Sequence, residues 1–86
     1  MKHRLRIPKY VSLPFGYRIT IVLLKAAGFE MFGTQDCDGF WNCDTKTIYI
    51  RKSLPITRRR YILAHELGHA WLDWQHKHMD QGAAKN

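Results

Sequence analysis

The sequence predicts an α+β domain: a small sheet of three or four strands, antiparallel or mixed, packed against one long helix. Three observations predict it. Residues 10 to 52 are rich in β-branched and aromatic side chains, with glycine and aspartate at the breaks. After "KSLP" the apolar period changes from two to 3.6. The second period is sustained to about His78 before "DQGAAKN" frays.

The elements follow in order. The basic start, "MKHRLRIPKY", leads into a strand-like segment. "YRITIVLLK" (Tyr17–Lys25) alternates and then turns continuously apolar, as a central strand does. Its last residues also suit a short helix near residues 20 to 27, running through Ala26 and stopped by Gly28. "FEMFG" (Phe29–Gly33) reads as a second strand, and "TQDCDG" (Thr34–Gly39) as a loop. Gly39–Cys43 and Thr47–Arg51 flank Asp44-Thr45-Lys46 and form a hairpin. Pro55 suits the first turn of the long helix, with Ser53 or Thr57 as its cap.

On a wheel at 100° per residue, Leu63, Leu67, Ala70, Trp71 and Trp74 gather on one side as the core face. His65, His69, Ile62, Leu72 and His76 fall on the other side, and Glu66 sits at its edge.

The 86 residues are expected to form a single domain, 1–86. A core of that size leaves stability thin without a staple such as a metal. With 45% hydrophobic and 24% charged residues, the composition is that of a folded globular chain. No apolar run reaches the roughly 18 residues that cross a bilayer, so no membrane partner is expected. No export signal is evident, which points to the cytoplasm. Cys37 and Cys43 are then reduced thiols by default, with a small-loop disulfide or metal ligation as alternatives. The net charge of +7 leaves a nucleic-acid partner open on charge alone, without any nucleic-acid motif beside it. A solvated basic surface is the better explanation.

The chemistry lies in His65-Glu66-Leu67-Gly68-His69. Histidines four apart stand one above the other on a helix, so both imidazoles reach one ion. The carboxylate after the first histidine lies beside that ion without binding it, and can take a proton from a metal-bound water. Gly68 costs about 1 kcal/mol of helix propensity relative to alanine. That cost suggests that something approaches closely there.

"TIYIRKSLPITRRRYILAHELGHAWLD" resembles the zincin metallopeptidases, and more narrowly the ImmA/IrrE-type family of phages and mobile elements. The resemblance covers about residues 38 to 76. It implies a minimal zincin-like domain and a zinc (Zn2+) cofactor held by His65 and His69, with Glu66 as catalytic base. It also implies a hydrolase acting on a protein or peptide substrate. In such enzymes the strand before the helix, here Thr47–Arg51, forms the upper rim of the cleft and takes substrate as an added strand.

The family's third ligand is a glutamate on a later helix, and no glutamate follows Glu66 here. The metzincin spacing is also missed, since Leu72 and Gln75 stand at its glycine and third histidine. His76 is the leading candidate, provided the helix ends near Asp73 and the chain folds back. Asp80, Asp73, Cys43, Cys37 or no third protein ligand remain open, and His78 shares the fold-back route. Asp73 also suits a hydrogen bond that orients the His69 ring. Tyr49 and Tyr61 are oxyanion candidates by position, and Arg58–Arg60 are a candidate acidic-segment contact or a solvated patch. Two functions follow. One is a zinc metallopeptidase using Glu66-assisted attack of zinc-bound water. The other is a catalytically weak or inactive regulatory protein on the same scaffold. The substrate and oligomeric state are not written in the sequence.

Overall fold

A computed structural model describes residues 6–84, with side chains described through Lys77. The order of elements is β1 (Tyr10–Leu13), β2 (Tyr17–Leu24), α1 (Ala26–Met31), β3 (Gly39–Asn42), β4 (Thr47–Arg51) and α2 (Ile56–Ala84). The four strands form one mixed sheet in the order β1-β2-β4-β3. β1 pairs antiparallel with β2, and β3 antiparallel with β4, while the central β2–β4 pair is parallel, with Ile21 opposite Ile48. None of the helices is long and apolar enough to cross a membrane, among the described residues.

The parallel centre explains one departure from expectation. Parallel neighbours need a crossover, and a helix usually supplies it. Phe29–Met31 therefore belong to α1 and not to a second strand, and Phe29 is fully buried. β2 keeps its strand to Leu24, so the helix begins at Ala26, later than residue 20. The β3–β4 hairpin forms as expected. Asn42 Oδ1 accepts from the backbone N–H groups of Asp44 (3.0 Å) and Thr45 (3.3 Å), which turns the chain.

The period-two strands put Tyr17, Ile19, Ile21, Ile48 and Ile50 on one face, against Ile62, Leu63, Ala70 and Trp74 of α2. Leu63, Ala70 and Trp74 are buried as the wheel predicts, and Leu67 packs against them partly buried. Ile62, placed with the histidines by the wheel, is buried, whereas Trp71 is 41% exposed. The contact stripe thus runs through Ile62, Glu66 and Ala70, and the histidine pair lies at its flank, not opposite it. Gly39 admits this. A Cβ there would meet Tyr49 O at 2.8 Å and the Ile62 side chain, so only glycine lets α2 settle this close to β3.

α2 starts at Ile56, directly after Pro55, so neither Ser53 nor Thr57 stands at its boundary. Arg59 holds the entry from within the helix. Its Nε donates to Leu54 O (2.9 Å) and its Nη2 to Lys52 O (2.6 Å). The backbone of α2 is helical to Ala84, beyond the fraying expected after His78.

Candidate metal centre

His65 and His69 lie one turn apart on the exposed flank of α2. Their Nε2 atoms are 3.4 Å apart, with the rings at 80° and centroids 5.0 Å apart. At that separation the rings can share one proton, or both can offer lone pairs to a cation. Tetrahedral zinc with ligands at about 2.0–2.1 Å sets its nitrogen pairs roughly 3.3–3.4 Å apart. The imidazole pair therefore fits zinc as two of its four ligands. Among the described residues no group of three or more histidine, cysteine, aspartate or glutamate side chains converges on an ion.

Glu66 is 9% exposed and is the one charged residue in the buried class among the described residues. No hydrogen bond or ion pair reaches it from any described residue. Most of the side chain is covered, but its carboxylate oxygens do not belong to the fully buried, unpartnered atoms, so water still reaches them. Beside it on the helix, Gly68 faces open space, with nothing within 4 Å of a Cβ built there.

The other candidates are spread out. α2 is unbroken through His76, which puts that residue roughly 10 Å beyond His69 along the axis instead of folded back. His69 and His76 line one open groove of about 310 Å³, together with Trp41, Cys43, Leu72 and Asp73. Cys37 and Cys43 are free, exposed thiols. Asp73 makes no hydrogen bond to His69, and its Oδ2 is buried without a partner. The side chains of His78 and Asp80 lie outside the described residues.

Tyr49 is not near the pair. It alternates with the core residues Ile48 and Ile50, so it sits on the opposite sheet face, stacked on Phe40 at 4.9 Å. Tyr61, one turn before His65, is 60% exposed beneath the Arg58 guanidinium. The three arginines do not act as one patch. Arg58 reaches Asp38 at 3.3 Å, Arg59 clamps the helix entry, and Arg60 lines a separate cavity with Arg6.

The strand before the helix is not the free rim. β4 is paired on both sides, and β3 is the sheet edge beside α2. Trp41 on β3 is a site residue that the sequence reading missed. Its signal was alternation: Gly39 and Trp41 share the face turned to α2, while Phe40 points away.

A family model described as the IrrE N-terminal-like domain matches residues 19–85, spanning β2 through α2. No curated protein and no solved structure matches the chain. A match over that much of the sequence assigns it: the chain belongs to the IrrE N-terminal-like domain family, a metallopeptidase-like family.

Proposed function

We propose that the chain is a small zinc-dependent peptidase. The carrying observation is the 3.4 Å spacing of His65 and His69 Nε2, with Glu66 beside them. The two histidines hold the metal, which supplies Lewis-acid polarisation when bound. Glu66 removes a proton from the attacking water and returns it to the departing amine. The free edge of β3 offers main-chain donors and acceptors, on which a peptide docks as a fifth strand.

The test combines metal analysis with cleavage. Wild-type protein should carry zinc and cut an unfolded protein substrate. Glu66→Gln should keep the metal and lose the cleavage. A second reading, a regulatory protein that keeps the scaffold without catalysis, is favoured by the lack of a third converging donor among the described residues. It predicts that Glu66→Gln leaves the biological effect intact, and that outcome removes the peptidase reading.

A further inference from the structure

The groove beside the histidine pair holds polar atoms that hydrolysis does not use. Asp73 and Trp41 both line it, and each carries a buried polar atom, Asp73 Oδ2 and Trp41 Nε1, that has no hydrogen-bond partner. An unsatisfied buried polar atom costs stability, and more so when charged. A ligand that pairs with such atoms recovers that energy. Asp73 is the one acid in the lining, and it calls for a donor, best a cation. Trp41 and Leu72 provide apolar wall for a hydrocarbon stem, and indole is the aromatic ring that attracts cations best.

We propose that this groove binds the lysine or arginine side chain of a peptide, beside the bond that the histidine pair and Glu66 would cut. The placement rests on the peptidase reading. Distance selects a side chain over an amino terminus. From the midpoint of His65 and His69 to Asp73 is six residues of helix, roughly 9 Å along the axis. A free α-amine lies within one residue of its own carbonyl, about 3.5 Å at full extension. A basic side chain, with its long flexible stem, spans the larger gap. The other charged or titratable neighbours are His69, His76 and Cys43 in the lining, Lys77 one turn further on, and the buried Tyr17 phenol, which feels Asp73, Cys43 and Lys77 alike. Lys77 makes no ion pair with Asp73. With a net charge of +7, the chain as a whole repels cations, so the attraction is local to Asp73.

The test uses the full chain, with and without zinc, and two blocked amino acids as probes. N-acetyl-arginine amide carries the cation, and N-acetyl-citrulline amide is its neutral, near-isosteric counterpart. Binding is followed through the Trp41 indole N–H resonance. The arginine amide should bind at least tenfold more tightly, and Asp73→Asn should abolish the difference. Leu72→Arg, at a position 54% exposed, places a competing guanidinium in the groove and should do the same without disturbing the core. Equal binding of the two probes, or an arginine preference that survives both substitutions, overturns the assignment. An arginine preference in a protein that cleaves nothing keeps the groove and discards the peptidase. Cleavage without the preference does the reverse.

Discussion

His65 and His69 hold their Nε2 atoms 3.4 Å apart on adjacent turns of α2, the spacing that one shared tetrahedral cation requires. An ion that binds both imidazoles in the folded chain, where they are held one turn apart, favours folding.

Zinc should therefore stabilise the fold. At a free concentration a hundredfold above Kd, linkage gives about 2.7 kcal/mol. In a domain of this size that is a rise in Tm on the order of 10–20 °C. His65→Ala and His69→Ala should each erase most of it in a thermal melt. A wild-type Tm indifferent to zinc would defeat the assignment of the pair.

Glu66→Gln separates chemistry from folding. Losing a general base lowers cleavage by about 10²–10⁴-fold. The amide keeps the shape and breaks no hydrogen bond or ion pair among the described residues, so stability should hold. Urea unfolding and peptide cleavage on the same preparation check both parts. A variant that unfolds easily would show that Glu66 has a structural partner.

Two glycines on or beside α2 should respond in opposite directions. Gly39→Ala drives a methyl into Ile62 and the Tyr49 carbonyl and should cost about 1–3 kcal/mol. Gly68→Ala enters open space and should gain up to about 1 kcal/mol of helix propensity. If Gly68→Ala stabilises the protein yet weakens peptide binding, the open side of residue 68 is where the peptide lies. Equal effects of the two substitutions in urea melts would contradict the packing of α2 on β3.

Tyr17 provides a pH signature. Burial pushes its phenol above the ordinary value of 10.0, and the negative charges of Asp73 and Cys43 add to this against the lowering effect of Lys77. The folded state thus keeps a proton that the unfolded chain gives up. Its contribution to stability is complete below about pH 10 and is lost as pH climbs through the raised folded value. Tyr17→Phe should flatten that alkaline loss relative to wild type in melts between pH 9 and 11. An identical slope in both proteins would place the phenol in solvent.

Much of this molecule could be read from local pattern. The alternation in Tyr17–Leu24, the turn segment Asp44-Thr45-Lys46, and the 3.6 period after Pro55 each act within a few residues. The spacing of His65, Glu66 and His69 likewise follows from helix geometry alone. The direction of α1 was not legible, because Phe29 to Phe32 suits a strand or a helix until β2 and β4 are known to run parallel.

What the sequence determined by itself was the set of elements and the histidine pair, since periodicity and i, i+4 neighbours are properties of short stretches of chain. Tertiary structure alone decided which edge of α2 meets the sheet, which strand is left free beside it, and that Trp41 and Asp73 share a groove. Those outcomes depend on pairings between distant strands and on how closely Gly39 lets the helix approach, and no local pattern encodes either.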